Sequence, residues 1–309
     1  MIAVTGTSGY LGRALLPALQ NHFGRYPNVL SLGRQSPTNT QSRYLDLRAG
    51  ADFRASLEGV KTLVHCAGLA HTRATAEEYE HVNVRATMSL ADAAIAQGVG
   101  HFIYVSSMNV VPPDASKPND NAGVYPRPAT AYAASKWQAE QALEALLKGS
   151  GCRVTIIRPA LVYDQELAAN LAVLAAVGRR IPFQLPDVGS RTMLSRADFV
   201  ALVIDLITSP PADTESVMRV AAFDGESYSS RRIGAALLGK RSLHLPLSVW
   251  HFAAKLRDAL GGRAGDSTWS SLAGEHWTGS LSPAFRWQPK WTLESCLAAN
   301  PYPPREPRA

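Results

Sequence analysis

Short apolar runs alternate with helical patterns through the first half of the chain. The runs that predict β-strands are Ile2–Val4, Val29–Leu32, Tyr44–Leu47, Thr62–His65 and Phe102–Val105. Apolar residues at helical spacing predict helices after residue 12, over residues 78–97 and from residue 132 onward. Strands separated by helices of this length predict an α/β fold with a doubly wound parallel sheet.

A glycine-rich loop follows the first predicted strand. Glycines occupy positions 6, 9 and 12 of Thr5-Gly-Thr-Ser-Gly-Tyr-Leu-Gly12, and a helical pattern follows. A strand, a glycine turn and a helix N-terminus form the arrangement that binds a pyrophosphate. The spacing is G-x-x-G-x-x-G rather than the commoner G-x-G-x-x-G. We therefore predict that a dinucleotide binds here.

Composition narrows the class of ligand. The chain has 309 residues, of which 46% are hydrophobic and 18% charged, as in an ordinary globular protein with a large core. The net charge of +6 is scattered, and we expect an anionic small molecule rather than nucleic acid. Cys66, Cys152 and Cys296 lie far apart without metal-ligand spacing, so we expect reduced core residues and no metal site.

The location of the protein is predicted from two features. The first strand begins at residue 2, so we expect no signal peptide. No apolar run approaches the length of about 18 residues that would span a membrane. We therefore expect a cytoplasmic protein.

The end of the second predicted strand bears on the choice between NAD and NADP. In a dinucleotide fold this place lies beside the adenosine ribose, where an acidic residue binds the hydroxyls of NAD. Gly33 and Arg34 stand there instead, and a guanidinium can pair with a 2′-phosphate. We favour NADP, while NAD stays open and Arg34 could be a solvated loop residue. Asp46, at the end of the third predicted strand, is a candidate partner for the adenine.

Candidate catalytic residues follow the fifth predicted strand. Ser106 and Ser107 end that strand, and Tyr132 and Lys136 begin a helix about 25 residues later. Helix positions i and i+4 share a face, so the phenol and the ammonium point the same way. A neighbouring ammonium lowers the pKa of a tyrosine from about 10, which makes Tyr132 usable as an acid or base. His65, at the end of a buried strand, is expected to be a hydrogen-bonded core residue.

The order of the motifs resembles a known family. The motifs are Thr5-Gly-Thr-Ser-Gly-Tyr-Leu-Gly12, Asp46-Leu47, Asn83-Val84, Ser106-Ser107, Tyr132-Ala-Ala-Ser-Lys136, Arg158-Pro159 and Trp287-Gln-Pro-Lys-Trp-Thr-Leu-Glu294. Together they resemble the extended short-chain dehydrogenase/reductases, and more narrowly the NAD-dependent epimerase/dehydratase family that acts on nucleotide sugars. The resemblance covers nearly the whole chain.

The resemblance implies roles for individual residues. Tyr132 would be the catalytic acid/base, Lys136 would hold the nicotinamide ribose, and Ser107 would hydrogen-bond the sugar's reacting oxygen. Arg191 would bind the substrate pyrophosphate and Asn170 the substrate, with a surface salt bridge and a helix cap as the respective alternatives. The implied cofactor-binding residues are Gly6, Ser8, Gly9, Tyr10, Leu11, Gly12, Arg34, Asp46, Leu47, Ala67, Gly68, Asn83, Tyr132, Lys136 and Pro159.

Departures from the family pattern narrow the reaction. Dehydratases carry Asp-Glu directly after the strand-end serine or threonine, whereas Met108 and Asn109 have no titratable group. Leu161 stands where galactose epimerases carry a substrate asparagine. A 4,6-dehydratase and a simple glucose/galactose epimerase are therefore both disfavoured. The pattern is most similar to reductases and epimerases acting at C4 of UDP-N-acetylhexosamines or their 4-keto-6-deoxy derivatives.

Our leading hypothesis is an NADP(H)-dependent reductase that transfers hydride to C4 of a 4-keto nucleotide sugar. A C4 epimerase with tightly bound NAD stays open, as does a non-catalytic NADP-binding sensor. A sensor has no reason to keep Ser107, Tyr132 and Lys136 together at this spacing. The resemblance also implies a homodimer.

Two domains are predicted. Residues 1–160 with about 191–222 are expected to bind the dinucleotide, and residues 161–190 with 223–309 to form a smaller substrate-binding lobe. The stretch from Met193 to Val220 is expected to return to the sheet through a strand, a helix and a second strand. Aromatic residues of the lobe are expected in its core, namely Trp250, Phe252, Trp269, Trp277, Trp287 and Trp291.

Overall fold

The computed structural model describes residues 1–25, 27–35, 41–49, 52–70, 74–112, 127–128, 130–167, 169–179, 183–210, 217–239, 243–261 and 287–299. These residues fall into two compact units. The first unit contains residues 1–112, 127–159 and 200–222, and the second contains residues 160–199 and 223–299. Residues 191–199 thus lie in the second unit rather than with the predicted dinucleotide-binding residues. Trp269 and Trp277 lie outside the described residues.

Most of the strands build one parallel sheet. In chain order the strands are β1 Ile2–Thr5, β2 Val29–Gly33, β3 Ser42–Tyr44, β4 Thr62–His65, β5 His101–Val105, β6 Arg153–Pro159, β7 Leu161–Tyr163, β8 Phe183–Gln184, β9 Met193–Ser195, β10 Val217–Ala222 and β11 Leu243–His244. Over the described residues, a seven-stranded sheet has the order β10-β6-β5-β4-β1-β2-β3. All of its neighbouring strands are parallel. The predicted doubly wound sheet is confirmed.

The helices connect these strands. They are α1 Tyr10–Phe23, α2 Ala76–Tyr79, α3 Ala86–Ala96, α4 Ala131–Leu147, α5 Ala169–Gly178, α6 Arg196–Thr208, α7 Ser230–Leu238, α8 Leu247–Gly261 and α9 Leu293–Ala298. A π-helical stretch, Glu80–Arg85, joins α2 to α3. The helix predicted over residues 78–97 therefore contains an internal π-bulge, a feature that often marks functional sites.

The core of the first unit lies between the sheet and helices α3 and α4. Leu63 and Phe102 on the sheet pack with Leu90 of α3 and Leu143 of α4, and all four are fully buried. Strand β5 is buried at every position. Parallel strands are covered on both faces, which explains their continuous apolar runs. The strand order changes direction between β1 and β4, and such a switch point opens a crevice at the carboxyl ends of the strands.

Two buried carboxylates link segments of the second unit. Asp224 accepts hydrogen bonds from the hydroxyls of Tyr163 (2.8 Å) and Tyr228 (2.6 Å). Asp198 accepts hydrogen bonds from the backbone N–H groups of Lys290 (2.9 Å) and Trp291 (3.0 Å). The second carboxylate therefore anchors the closing Trp287-Gln-Pro-Lys-Trp291 segment.

Two predicted strands differ from the structure. The third strand ends at Tyr44, because Asp46 accepts a hydrogen bond from the backbone N–H of Arg48 (3.0 Å) and turns the chain. Strand β9 pairs with β7 in a separate two-stranded sheet. Strand β10 pairs with β6 at the end of the main sheet, so of the two strands predicted to return to that sheet only β10 does.

The aromatic core of the second unit also differs from the prediction. Trp250 and Trp287 are buried, and Trp291 packs against the core of the unit. Phe252 is 70% exposed, which corrects its predicted place in the core. Helix α8 buries the face that carries Trp250 and Ala254, and Phe252 lies on another face. No helix among the described residues is both long and apolar enough to cross a membrane.

Candidate active site

The glycine loop packs closely against the segment that follows β4. Gly6 has φ +71°, and a Cβ there would lie 2.7 Å from the backbone nitrogen of Ala67. A Cβ at Gly12 would lie 2.2 Å from the carbonyl oxygen of Gly6. The backbone N–H of Gly9 donates to the same oxygen (2.9 Å). Glycine at positions 6 and 12 is thus required by backbone packing at the switch point of the sheet.

The N-terminus of α1 emerges from this loop. Its N-cap is Gly9, which has no side chain to cap the helix, and residues 10–13 carry no acid. The positive end of the helix therefore faces no competing carboxylate from its own first turn. Ser8 and Gly9 are exposed, while Tyr10 and Leu11 are half-buried. This is a suitable setting for an anionic group.

The ends of β2 and β3 hold the residues predicted to contact the adenosine side of a dinucleotide. The Oγ atoms of Thr7 and Ser31 lie 2.8 Å apart and tie the glycine loop to β2. Arg34 follows β2 directly and is exposed. Asp46 is half-buried and lies two residues beyond β3 rather than at its end, and Leu47 is buried.

Asn83 joins the loop after β4 to helix α4. Its Oδ1 accepts from the backbone N–H of Leu69 (2.8 Å), and its Nδ2 donates to the Leu69 carbonyl (3.0 Å) and to Ser135 Oγ (3.0 Å). A Cβ at Gly68 would lie 2.9 Å from Asn83 Oδ1 and 3.4 Å from Lys136 Nζ. The small residues Ala67 and Gly68 therefore let this loop approach the amide and the ammonium.

Helix α4 carries Tyr132 and Lys136 one turn apart. The hydroxyl of Thr130 accepts from the backbone N–H of Ala133 (3.3 Å) and caps the helix. Tyr132, in the first turn, is half-buried, and its ring centroid lies 6.0 Å from that of Tyr79. Ser135 Oγ donates to the Tyr132 carbonyl (2.7 Å). The bonds of Asn83 and Ser135 therefore fix the turn that bears the tyrosine.

Lys136 reaches from α4 to the end of β5. Its Nζ donates to the carbonyl of Val105 (3.0 Å) and lies 4.7 Å from the ring centroid of Tyr104. Burial lowers the pKa of the Lys136 ammonium to about 8, although nearby Cys66 and Glu140 oppose this shift. Ser107 is two residues beyond Val105 and is buried, and its Oγ accepts from the backbone N–H of Asn109 (3.2 Å). The ammonium is thereby held beside the strand end that bears the serine.

His65 is a core residue, as predicted. Its Nδ1 lies 2.7 Å from Thr5 Oγ1 and its Nε2 lies 3.0 Å from Thr87 Oγ1. Burial and the charge of Lys136 lower the pKa of His65 to about 3, so its ring is neutral at physiological pH. Burial raises the pKa of the adjacent Cys66 to about 12, which keeps this thiol protonated. These groups are structural and have no acid–base role near neutrality.

A buried ion network beneath α4 is formed by residues outside the predicted site. Glu140 Oε1 accepts from Ser106 Oγ (2.5 Å), and its carboxylate pairs with Arg158, whose Nη2 lies 2.5 Å from Oε2. Arg219 on β10 pairs with Glu144 (2.6 Å). The sequence signal for Glu140 is its position four residues after Lys136, which itself comes four residues after Tyr132. A glutamate four residues from a lysine ordinarily indicates an exposed helical pair.

The remaining predicted residues lie elsewhere. Pro159 ends β6 in the first unit and is buried. Arg191 lies in the second unit, where its backbone pairs with Tyr228 (3.2 and 2.9 Å). Its side chain is buried, which argues against the surface salt bridge, and burial lowers its pKa to about 10. Asn170 lies in the first turn of α5, and its side chain is outside the described part of the structure.

Comparison with known proteins matches this chain to one family of enzymes. The model of the NAD dependent epimerase/dehydratase family matches residues 2–181. A UDP-glucose 4-epimerase of Vibrio cholerae is 30% identical over 266 residues, which cover 81% of this chain and 79% of the relative. Two similar solved structures show the fold alone, because their identities are low. They are MoeE5 in complex with UDP-glucose and NAD (TM-score 0.70, 20% identity, 96% of both chains) and UDP-N-acetylglucosamine 4-epimerase from Bacillus cereus (TM-score 0.72, 16% identity, 96% of this chain and 93% of the other).

Proposed function

The chain belongs to the NAD-dependent epimerase/dehydratase family, and from this premise we propose that it oxidises or reduces C4 of a UDP-linked sugar. The observation that carries the proposal is the placement of Lys136. Its Nζ donates to the carbonyl of Val105 (3.0 Å), two residues before Ser107, and Lys136 lies one helical turn after Tyr132. These three side chains supply a hydroxyl donor, a phenol and a buried cation at one sheet edge.

The residues at this edge fit a nicotinamide dinucleotide. In the glycine loop, Gly6 and Gly12 occupy the two positions where a Cβ would collide with the backbone. The loop leads into the N-terminus of α1, which has no side-chain cap. This loop would hold the pyrophosphate, and Lys136 would hold the nicotinamide ribose. When bound, the nicotinamide supplies the hydride chemistry. We assign the dinucleotide to the first unit and the nucleotide sugar to the second.

The protein's own groups would control the proton. Tyr132 would give a proton to the oxygen on C4 when a ketone is reduced, or take it when an alcohol is oxidised. The Ser107 hydroxyl would hydrogen-bond the same oxygen, and the Lys136 ammonium would stabilise the tyrosinate form of Tyr132. In the second unit, Arg191 would pair with the pyrophosphate of the substrate and Asn170 would contact the substrate.

Of the reactions that this chemistry allows, we propose NADPH-dependent reduction of a UDP-4-keto-hexosamine. Arg34 supports NADP, because it is exposed directly after β2 and can pair with a 2′-phosphate. An exchanging reduced cofactor suits a reductase. The second candidate is a C4 epimerase with tightly held NAD, which the Vibrio cholerae relative favours at 30% identity. The homodimer and the cytoplasmic location stay predictions.

The absorption spectrum of the purified protein separates these candidates. A cofactor-free protein that consumes NADPH only when a UDP-4-keto-hexosamine is present would support the reductase. Tightly bound NAD, with interconversion of UDP-hexosamine C4 epimers, would support the epimerase instead. Neither activity over a panel of UDP-sugars would contradict the proposed substrate class. Arg34→Ala is the matched variant, and it should weaken NADPH binding at least about tenfold and leave NADH binding unchanged.

A further inference from the structure

A fully buried carboxylate lies one helical turn beyond Lys136. Glu140 is 0% exposed, and its principal partner, Arg158, is 1% exposed. Arg158 Nε lies 3.1 and 3.2 Å from the two carboxylate oxygens, and its Nη2 lies 2.5 Å from Oε2. Burying two charges is costly unless the pair is well aligned and its remaining hydrogen-bonding capacity is used. Ser106 Oγ uses part of that capacity by donating to Oε1 at 2.5 Å.

The two closest partners of this carboxylate belong to segments of the active site, while Arg219 on β10 lies farther away, 4.0 Å from Oε2. Ser106 directly precedes Ser107 at the end of β5, and Arg158 directly precedes Pro159 at the end of β6. Glu140 itself is on α4, the helix of Tyr132 and Lys136. One side chain thus links the serine-bearing strand end, the catalytic helix and the next strand.

We propose that Glu140 is a positioning residue that sets the placement of Ser107 relative to Tyr132 and Lys136. The inference rests on the proposed function, because it concerns how these three residues meet one oxygen of the substrate. Ser107 and Tyr132 lie on different elements, so their separation is fixed only by contacts between those elements. Ser106–Glu140 is such a contact. A displacement of about 1 Å between reacting groups can cost about a hundredfold in rate.

The charge of Glu140 also acts on Lys136. Four titratable groups face the ammonium. His65 ends β4 and Cys66 follows it, Tyr104 is on β5, and Glu140 is on the same helix as Lys136. Burial lowers the pKa of Lys136, and the carboxylate opposes this shift. Glu140→Gln removes that opposition, so Lys136 should lose its proton at a lower pH. Ser106→Ala leaves every charge in place, so its effect on kcat separates the positioning role from this charge effect.

Two variants and a matched control test the proposal. Ser106→Ala removes the strand contact and keeps the ion pair, and Glu140→Gln removes the charge. Glu226→Gln is the control, because Glu226 lies in the second unit, pairs with Arg232 and has a side chain that is 45% exposed. The measurements are kcat, KM and cofactor affinity with the full-length protein, and titration of Lys136 by ¹⁵N-lysine NMR, assigned with Lys136→Arg.

We expect Ser106→Ala to lower kcat about tenfold with KM and cofactor affinity within about twofold, and Glu140→Gln to lower kcat at least about a hundredfold. The Lys136 midpoint should fall in Glu140→Gln and stay at its wild-type value in Glu226→Gln. Unchanged kcat in Ser106→Ala, or an unchanged Lys136 midpoint in Glu140→Gln, would overturn the proposal.

Two unfavourable outcomes of these experiments can still be interpreted. If Glu140→Gln does not fold, the double variant Glu140→Gln/Arg158→Gln removes both charges of the pair, and its kcat replaces that of Glu140→Gln. If the wild-type protein turns over no UDP-sugar, the proposed function fails, while the Lys136 titration still tests the role of Glu140. The two failures are therefore distinguishable.

Discussion

Replacing Lys136 by methionine should stabilise the fold at neutral pH while abolishing turnover. The side chain is 5% exposed, and burial lowers its pKa from 10.5 to about 8. At about 1.4 kcal/mol for each pH unit, holding the charged form in the folded state costs about 3 kcal/mol. Methionine has a similar length and carries no charge, so the variant avoids this cost.

The variant also loses a hydrogen bond. Lys136 Nζ donates to the carbonyl of Val105 at 3.0 Å, and leaving that acceptor without this donor costs about 1–2 kcal/mol. The expected net effect is a gain of about 1–2 kcal/mol in the free energy of unfolding at pH 7. Turnover should fall at least about a hundredfold, because the cation beside Tyr132 is lost.

The sign of the pH dependence follows from the direction of the pKa shift. Because the folded-state pKa is below the unfolded one, the unfolded chain binds more protons between pH 8 and 10.5. The stability contributed by Lys136 therefore rises with pH across this window. The advantage of Lys136→Met should be present at pH 7 and shrink by pH 10.

Urea unfolding followed by tryptophan fluorescence at pH 7 and pH 10 measures this effect. Lys148→Met is the matched control, because Lys148 is exposed at the end of α4. Its free energy of unfolding should stay within about 0.5 kcal/mol of wild type at both values. A Lys136→Met protein that is less stable than wild type at pH 7, or whose advantage is the same at pH 10, would refute the reasoning.

Three further predictions concern other parts of the molecule. Gly12→Ala should weaken dinucleotide binding at least about tenfold in a fluorescence titration, because its Cβ would lie 2.2 Å from a backbone oxygen. Gly100→Ala is the control, because its Cβ would lie at an ordinary contact distance of 3.7 Å from the Lys61 carbonyl oxygen. The ring of His65 should stay neutral by NMR down to about pH 4, and its lowered pKa should cost stability as the pH falls from 6.5 towards 3. Asp198→Asn should cost about 2–3 kcal/mol and speed hydrogen exchange at the Lys290 and Trp291 amides, because it replaces a carboxylate oxygen that accepts from backbone N–H groups.

Each of these predictions can fail. Equal dinucleotide affinity in the two glycine variants would show that the loop does not need the close approach at position 12. A His65 ring that titrates near 6.5 would contradict its burial. Unchanged amide exchange in Asp198→Asn would show that the closing segment is held by other contacts.

The fold could be predicted because its signals are local. Parallel strands are buried on both faces, so runs such as Thr62–His65 and Phe102–Val105 are apolar throughout and stand out from the helical patterns around them. The predicted third strand begins at Tyr44, two residues after the observed start at Ser42. Leu45 and Leu47 are buried without being in a strand, and burial alone cannot distinguish a turn beside the core from an edge strand.

The supporting contacts of the site could not be predicted, because they depend on tertiary packing. Asn83 lies in a π-helical stretch, and its bonds to Leu69 and Ser135 require three separate segments to meet. Glu140 follows Lys136 by four residues, which is the pattern of a solvated helical pair. Only the folded chain brings Arg158 and Ser106 to that carboxylate and buries it.

The central claim is that Tyr132 is the acid or base for chemistry at C4 of a UDP-sugar. The most direct test is the turnover of Tyr132→Phe, measured with the UDP-sugar that the wild-type protein converts and with cofactor binding followed in parallel. The account predicts a loss of at least about a hundredfold in kcat with cofactor affinity retained. Unchanged turnover in a variant that still binds the cofactor would contradict it.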